Sequence, residues 1–541
     1  MLAKICVNPS SGWKQVTKAL TANDAYTLTL TSKDDNYPGD PTYTLYDDVT
    51  LSGECRPTTS RSATVTGSGA SATHTTSYSL TVNGTGPTLQ KVSTDPFTDT
   101  DAQHATEVEP DTYAYGTTIV SAFQVGRVYG GGASDLGWAT STDSGATWQH
   151  GFLPGITVNQ GGSYAQVSDA SVVYDAKHTA WLVVGLPIDS SGNALGLTVN
   201  RSTDGGLTWG SATHAVGFDG AGYDKQWITC DNTPTSPYYG NCYIEADLTS
   251  SGNAEFMSTS TDGGVTWGAK KQPAGSPAGL GGQPVVQPNG TVVVPFSTNG
   301  SAIEAFTSTN GGGGWGSVNT VSSVSAHGVA GGLRDGEGLP SAEIDAAGKV
   351  YVVWQDCRFR SGCPGNDIVL STSANGTSWS AVSRIPIDAT TSGADHFIPG
   401  IGVDHATSGG TAKLGVYYYF YPTSNCTAST CRMSVGFISS ADGGSTWSAA
   451  QTVAGPMTMA QIAGTSQGTM VGDYISASVV SGRSIALFAV GKAPTNGQAF
   501  DEGMWTVGGG LSLRGGSARA ATGPVYGGPV RLRTGGHGFL M

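Results

Sequence analysis

The sequence has few charges, and it lacks the patterns that several large classes of protein require. Only 12% of its residues are charged, and no basic run is longer than Lys270-Lys271. With a formal net charge of −14, the chain is a poor partner for a polyanion, so we do not expect it to bind nucleic acid. No apolar run approaches the length of a membrane span, and no amphipathic stretch is long enough to predict a helix.

The signatures of cofactor chemistry are also missing. The sequence contains no phosphate-cradling loop, no dinucleotide fingerprint and no His-rich metal signature. The glycine run 311–314 belongs to a degenerate copy of an internal repeat. We therefore expect no cofactor and no metal, and we expect a monomer.

The residues that are abundant indicate an all-β fold. Glycine accounts for 80 of 541 residues, and Ser, Thr, Gly and Asn separate short apolar runs such as Val292-Val293-Val294. This composition is typical of many short strands that are joined by tight turns.

The eight cysteines indicate disulfides. Three pairs are close in sequence and bracket loop-like segments, and they predict the disulfides Cys230–Cys242, Cys357–Cys363 and Cys426–Cys431. Cys6 and Cys55 remain as a fourth pair. The spacings do not match common zinc sites, so an oxidising compartment and a secreted, extracellular protein are expected, with free buried thiols as the alternative. Because the segment 1–6 lacks the features of a signal peptide, either such a signal was removed or the true start lies upstream, which we favour.

An internal repeat dominates the rest of the chain. Six segments fit the pattern Ser-x-Asp-x-Gly-x-Thr-Trp to different degrees: 141–148, 202–209, 260–267, 308–315, 372–379 and 440–447. In this pattern Asp accepts hydrogen bonds from turn amides, Gly adopts backbone angles closed to other residues, and Trp packs on a neighbouring sheet. The motif predicts a hairpin clasp and not a reaction centre.

These segments resemble the Asp-box (BNR) repeat of the sialidase superfamily over residues 88–507. The resemblance implies a β-propeller, but the same box occurs in other glycosidases and in non-enzymatic propellers, so it does not define an activity. Six pairs of apolar runs precede the six boxes, and a seventh pair follows the last box. We predict seven blades, with six, the number in sialidases, as the alternative. Residues 88–95 should close the ring as the outer strand of the blade formed by residues 470–507.

The remaining segments predict three further regions. Residues 1–56 resemble the last strands of a jelly-roll β-sandwich, although this fragment is too short to close a core. Residues 57–87 are expected to be a Ser/Thr/Gly-rich linker with one strand at 78–82. The Gly/Arg-rich tail 508–541 is expected to be disordered.

Strand parity predicts where a ligand site would lie. In a four-stranded blade the Asp boxes mark one face, and ligands of propellers usually bind on the opposite face, at the starts of first strands or the ends of second strands. The polar residues at such positions are Glu107, Glu109, Arg127, Asp169, Asp224, Lys225, Arg334, Asp335, Glu337, Asp356, Arg358, His396, Asp473 and Tyr474.

Sialidases use three arginines to bind the substrate carboxylate, a Tyr–Glu pair as nucleophile and an Asp as acid/base. By residue type and position, Arg127, Arg334 and Arg358 are the candidate arginines. Tyr474 with Glu337 would be the nucleophile, and Asp224 the acid. The Arg-Ile-Pro signature of the family should precede the first box, whereas Arg384-Ile385-Pro386 follows the fifth box, and we interpret it as structural.

Three functions remain compatible with these residues. The first is a secreted sialidase-type glycoside hydrolase that acts on terminal glycosidic bonds of glycans. The second is a non-catalytic propeller that binds glycan or protein at a cell surface, and the third is a purely structural repeat domain. The seventh blade and the missing signature favour the second function, and the convergent arginines and acids favour the first.

Overall fold

The computed structural model describes residues 61–68, 73–80, 87–495 and 497–515. The chain divides into two compact units, of which the first comprises Met1–Gly86 with Tyr526–Met541 and the second Pro87–Val525. The predicted jelly-roll fragment and the Cys6–Cys55 pair lie outside the described residues. Within the first unit, β1 (Arg61–Ser68) and β2 (Thr73–Leu80) form an antiparallel hairpin. The segment expected to be a linker with one strand therefore contains two paired strands.

The described part of the second unit is all-β, with several antiparallel sheets. Its strands are β3 (Leu89–Lys91), β4 (Ala102–Tyr115), β5 (Thr118–Val128), β6 (Ala133–Ser141), β7 (Gln149–Phe152), β8 (Gln166–Asp175), β9 (Ala180–Ile188), β10 (Gly196–Ser202), β11 (Thr213–Gly217), β12 (Asp224–Cys230), β13 (Cys242–Leu248), β14 (Ala254–Ser260), β15 (Val285–Val286), β16 (Val292–Ser297), β17 (Ala302–Ser308), β18 (Asn319–Ser323), β19 (Ser341–Ile344), β20 (Val350–Asp356), β21 (Asp367–Ser373), β22 (Ser383–Arg384), β23 (Asp395–Val403), β24 (Leu414–Tyr421), β25 (Arg432–Ser440), β26 (Gln451–Thr458), β27 (Gly464–Thr465), β28 (Gly468–Thr469), β29 (Ser478–Val480), β30 (Arg483–Ile485), β31 (Leu487–Gly491), β32 (Glu502–Val507) and β33 (Leu511–Ser512). Short 3-10 helices occur at Val158–Gln160, Thr249–Ser251, Gly336–Gly338, Gly409–Thr411 and Met459–Gln461. Among the described residues, no helix has the length and apolarity needed to span a membrane.

The strands pair in chain order to form successive sheets. We name these groups of strands sheet A (β4–β7), sheet B (β8–β11), sheet C (β12–β14), sheet D (β15–β18), sheet E (β19–β22) and sheet F (β23–β26). Sheets A and B belong, with β3, β31 and β32, to one 11-stranded sheet, whose parts are joined by the single residue pairs Ala133–Val167 and Thr106–Glu502. Their apolar faces pack on one another, as where Leu182 and Val184 of sheet B contact the cluster that contains Ile244 and Phe256 of sheet C. Each sheet therefore buries its apolar side chains against the next sheet along the chain.

The last strands pair with the first strand of this unit. Strand β32 pairs with β31 on one side and with β3 on the other, and Leu89 lies opposite Val507. This pairing confirms the prediction that residues near 90 join the strands near 505, and it covers a strand edge that would otherwise be open. The tail is more ordered at its start than expected, because Leu511–Ser512 pair with β30.

The Asp boxes form the predicted clasps, each directly after the third strand of its sheet. In the first box, Asp143 accepts hydrogen bonds from the Thr147 amide at 2.8 Å and the Thr147 hydroxyl at 2.6 Å. In the fourth box Asn310 replaces the carboxylate and accepts the amide of Gly314 at 2.9 Å. The fifth box starts one residue later than the sequence indicated, because Asn375, and not residue 374, accepts the amides of Thr377 and Ser378.

The three disulfides predicted from the close cysteine pairs are present. They are Cys230–Cys242, Cys357–Cys363 and Cys426–Cys431. The first joins β12 to β13 within sheet C, and the other two close short loops. They are compatible with an extracellular protein.

Buried side chains also connect the first strands of neighbouring sheets. In each case a side-chain oxygen accepts a hydrogen bond from a backbone amide of the adjacent first strand: Asp111 from Val172, Ser171 from Ile228, Gln283 from Ala342, Ser341 from Ile401 and Ser476 from Thr112. The last of these bonds joins the segment before β29 to β4 of sheet A. The segment before β29, near the end of this unit, is thus a direct neighbour of β4, near its beginning.

Candidate functional site

A cavity of about 650 Å³ lies where the first strands of sheets A, B and C begin. Its charged lining residues are Glu109, Arg127, Asp169, Asp224, Lys225 and Arg334. All six belong to the set that strand parity placed on the face opposite the Asp boxes. Tyr129, whose side chain is 58% exposed, also lines the cavity, together with the glycine run 130–132.

Three of these residues occupy the same backbone position in successive sheets. Glu109 of β4, Asp169 of β8 and Lys225 of β12 all have positive φ, at 55°, 42° and 47°. Each lies in a β-bulge, where the register with the second strand shifts. A bulge redirects side chains locally, so the three bulges bring charged groups from three sheets together. A positive φ at a non-glycine residue costs about 1–3 kcal/mol, which the surrounding contacts must offset.

The Lys225 ammonium is the centre of a buried ion network. Its Nζ lies 2.6 Å from Asp473 Oδ2, 3.2 Å from Asp169 Oδ1 and 3.7 Å from Glu109 Oε1. Lys225 itself is 8% exposed. Arg334 also forms an ion pair with Asp473, so one carboxylate bridges two cations.

The carboxyl groups in and beside this network have pKa values that are shifted in opposite directions. Burial raises the pKa of Glu109 to about 8, although Lys225 opposes the shift. Burial acts in the same direction on Asp473, but Lys225 and Arg334 outweigh it and hold the pKa of Asp473 at about 2. Burial also raises the pKa of Asp224, whose side chain is partly exposed at the cavity. Carboxyl groups with pKa values shifted apart are typical of acid–base sites.

Arg127 is the least satisfied cation at the cavity. It is 2% exposed, and its Nη1 donates to Gln124 Oε1 at 2.9 Å and to the Gly132 carbonyl at 2.7 Å. Its Nε and Nη2 have no hydrogen-bond partner. Unpaired buried donors are uncommon in proteins, and such donors call for an acceptor such as an ordered water molecule, an ion or a ligand atom.

The other residues selected from the sequence lie in different surroundings. Arg358 does not line the cavity, because its guanidinium donates to Asp356 and Ser322. The predicted triad of arginines is therefore reduced here to Arg127 and Arg334. Glu337 lies in the 3-10 helix Gly336–Gly338, and its side chain is outside the described part of the structure.

Tyr474 is buried beneath the cavity wall and does not line the cavity. Its hydroxyl donates to the Ala170 carbonyl at 3.2 Å, and its ring packs edge-on against Trp227. Burial and the nearby carboxylates raise the pKa of Tyr474 well above its usual range. These contacts suit a residue that positions the first strands, and they differ from those expected of an exposed nucleophile.

The Arg-Ile-Pro segment has the structural role expected from its position. Arg384 Nη2 lies 2.8 Å from Asp367 and 2.6 Å from Asp388, and Arg360 binds the same two carboxylates.

Lys225, Asp169, Glu109 and Asp473 received no chemical role from the sequence, although parity placed them on this face. No pattern in the sequence singles them out, because the first strands β4, β8 and β12 contain several other polar residues and Asp473 lies outside the strands. Glu109, Asp169 and Lys225 meet through bulges, which the sequence does not reveal.

We expect the protein to be less stable near pH 8 than near pH 5, in part because of Glu109. Its folded-state pKa is raised to about 8, so the proton that it holds in the native state stabilises the fold below its unfolded pKa. That contribution is lost as the pH rises through about 8. Thermal melts at intervals from pH 5 to 8 should show a falling melting temperature in the wild type and a flatter profile in Glu109→Gln.

Asp143→Asn is the matched control for this profile. Hydrogen bonds from Thr147 lower the pKa of Asp143 to about 2, so its carboxylate stays ionised between pH 5 and 8. The control should keep the wild-type slope, and a Glu109→Gln profile as steep as that of the wild type would contradict the assignment.

Comparisons with known proteins show similarity in fold only. No family model matches the sequence, and no curated protein matches it. Among solved structures, a Hadza microbial sialidase is 14% identical, with a TM-score of 0.42, over 69% of this chain and 74% of that one. The NanB sialidase from Streptococcus pneumoniae is 12% identical, with a TM-score of 0.37, over 77% of this chain and 70% of that one. An ulvan lyase, described as a new family of polysaccharide lyase, is 11% identical, with a TM-score of 0.46, over 78% of this chain and 97% of that one.

Proposed function

We propose that the protein is a secreted β-propeller that binds a carboxylate-bearing glycan in the cavity of sheets A, B and C. The observation that carries this proposal is Arg127, a buried guanidinium at the cavity with two nitrogen atoms that lack partners. A sugar carboxylate supplies acceptors for such donors in a charge-assisted contact. Arg334 adds a second guanidinium, and the exposed ring of Tyr129 offers an apolar surface for a sugar ring.

The propeller assignment is supported by two features of the fold. Six successive groups of strands, A to F, are followed by the group of β31, β32 and β3, and this order supports a count of seven units. The hydrogen bond from Thr112 to Ser476 links the last unit to the first. A six-bladed ring is the alternative.

Hydrolysis of a terminal glycosidic bond is the second candidate function, and a carboxyl pair favours it. Asp224 and Asp169 line the cavity from adjacent first strands. Asp224 has a raised pKa and suits a general acid, and Asp169 forms an ion pair with Lys225 beside it. Glycosidases of many families use two carboxyl groups in these roles. Non-catalytic binding by the same cavity remains the alternative.

Binding of acidic and neutral oligosaccharides tests the proposal. We expect sialic-acid or uronic-acid glycans to bind, and Arg334→Ala to weaken that binding by about 10- to 100-fold, because hydrogen bonds to charged groups contribute about 1.5–3 kcal/mol. Arg358→Ala is the matched control, since it removes an arginine that Asp356 holds away from the cavity. Isothermal titration calorimetry provides the affinities.

Methyl-esterified forms of the same glycans complete the test. They should bind weakly and be insensitive to Arg334→Ala. Equal loss of affinity in the two arginine variants, or equal binding of acid and ester, would contradict a carboxylate site at this cavity.

A further inference from the structure

Sheet C contains a group of three acidic side chains that the cavity does not use. Glu245 and Asp247 are two residues apart on β13, so they project from the same side of the strand, and Glu255 lies on β14 directly opposite Asp247. One oxygen from each of the three carboxyl groups lies within 4.8 Å of the others. Acids placed directly opposite each other in a sheet destabilise it unless something compensates their charge.

The three side chains are completely buried, and they lack a compensating charge of their own. Glu245, Asp247 and Glu255 are each 0% exposed. Their carboxylate oxygens accept no hydrogen bond from a described side chain outside the group, although Glu245 and Glu255 interact with each other and the Gly281 amide interacts with Asp247. Buried carboxylates need a cation or a proton.

Among the described residues, no cationic side chain forms an ion pair with this group, although the charge of Lys225 acts on Asp247 from a longer distance. Lys225, on the neighbouring strand β12, directs its ammonium to Asp473, Asp169 and Glu109 instead. The contrast with another acidic group is informative, because Asp367 and Asp388 in sheet E and its following loop are neutralised by Arg360 and Arg384. A third group, Asp175 with Cys230 and Cys242, offers no thiolate, since both cysteines form a disulfide.

The backbone packs closely against the acidic group from the side of sheet D. A Cβ at Gly282 would lie 2.6 Å from the Glu245 carboxyl carbon, so only glycine fits at this position. Gly281, the preceding residue, has a φ of +64°. The main chain of residues 281–282 therefore packs directly against the acidic group.

We propose that Glu245, Asp247 and Glu255 bind one calcium ion inside sheet C. Calcium takes oxygen ligands at about 2.3–2.6 Å, so two oxygens on opposite sides of the ion lie about 4.6–5.2 Å apart. The separations in the group fit inside that span. A doubly charged ion compensates most of the charge of three carboxylates, and it binds β13 and β14 to each other. Since Asp224 pairs with Asp247 in the sheet register, the ion would also stabilise the strand that carries Asp224 and Lys225 into the cavity.

Metal analysis and thermal melts test this site. After purification in calcium-containing buffer and desalting, the protein should retain about one calcium per chain, as measured by inductively coupled plasma mass spectrometry. The protein should first be stripped of calcium with a chelator. Calcium added at 100 times the dissociation constant should then raise the melting temperature by about 3 °C relative to the stripped protein.

The variants separate this site from adventitious binding and from protonated carboxyl groups. Glu255→Gln should lose the retained calcium and the calcium-dependent shift, whereas Glu343→Gln, which removes a carboxylate paired with His405 in another sheet, should keep both. If Glu255→Gln retains the calcium response, the ion binds elsewhere and the proposal is wrong. If the wild type neither retains calcium nor responds to it, the acids share protons instead, and the proposal is equally overturned. Neither result depends on any glycan activity.

Discussion

Lys225→Met is expected to lower the free energy of unfolding by about 3–5 kcal/mol, because removing one partner from a buried ion pair leaves the other charge uncompensated. In this protein Asp473, Asp169 and Glu109 all face the same ammonium, at 2.6, 3.2 and 3.7 Å. Methionine fills a similar volume, so the loss reports on charge and not on a cavity. Urea denaturation followed by tryptophan fluorescence measures it.

Lys413→Met provides the matched control. Lys413 Nζ lies 3.8 Å from Asp404 in a pair whose lysine side chain is 38% exposed. Exposed pairs contribute at most about 1 kcal/mol, so this variant should change stability little. Adding Asp169→Asn to Lys225→Met should recover part of the loss, since it removes one uncompensated carboxylate. Equal destabilisation by the two lysine variants would show that the network around Lys225 has no special role.

Asp224→Asn is expected to reduce hydrolysis of a glycoside with a poor leaving group by about 10²–10⁴-fold, the usual contribution of a general acid. Asparagine has the shape of the acid but cannot donate the proton, so glycan binding should change little. Aryl glycosides with acidic leaving groups need no protonation, and their turnover should fall much less. Steady-state kinetics on a pair of substrates with the same sugar and different leaving groups measures this difference.

Asp501→Asn controls for the loss of one carboxylate, because Asp501 pairs with Lys91 away from the cavity. It should retain full activity on both substrates. Turnover that falls equally for both leaving groups in Asp224→Asn would remove the acid role. A wild-type protein that binds acidic glycans without cleaving any would contradict hydrolysis and leave the binding proposal intact.

Features determined by short stretches of sequence were predicted well. The Asp boxes depend on hydrogen bonds between residues at most four positions apart, such as Asp143 with Thr147, and the structure contains them. The close cysteine pairs behave in the same way, since each closes a local loop. The pairing of Leu89 with Val507 is distant in sequence, yet counting strands was enough to predict it, because an edge strand needs a partner.

Strand parity selected the charged residues that line the cavity, but it did not predict which of them are neighbours. Strand parity selected Glu109, Asp169, Lys225 and Asp473 among many polar residues, and it could not say that they meet. Glu109, Asp169 and Lys225 lie in bulges with positive φ, which bring them together, whereas Asp473 comes from a segment outside the strands. Arg358 was selected by the same rule but does not line the cavity. Its guanidinium donates hydrogen bonds to Asp356, two residues before it.

The sequence by itself thus determined the elements of this protein: the strands, the clasps, the disulfides and the face on which polar residues gather. Tertiary structure alone decided which charges are neighbours. Lys225 meets carboxyl groups from three separate segments, and Glu245, Asp247 and Glu255 come together across two strands with no ion pair to a cationic side chain of the described residues. The physical reason is that hydrogen bonds in turns and loops act between residues close in sequence, whereas the charge of a buried group is balanced by whatever the packing of distant strands brings beside it.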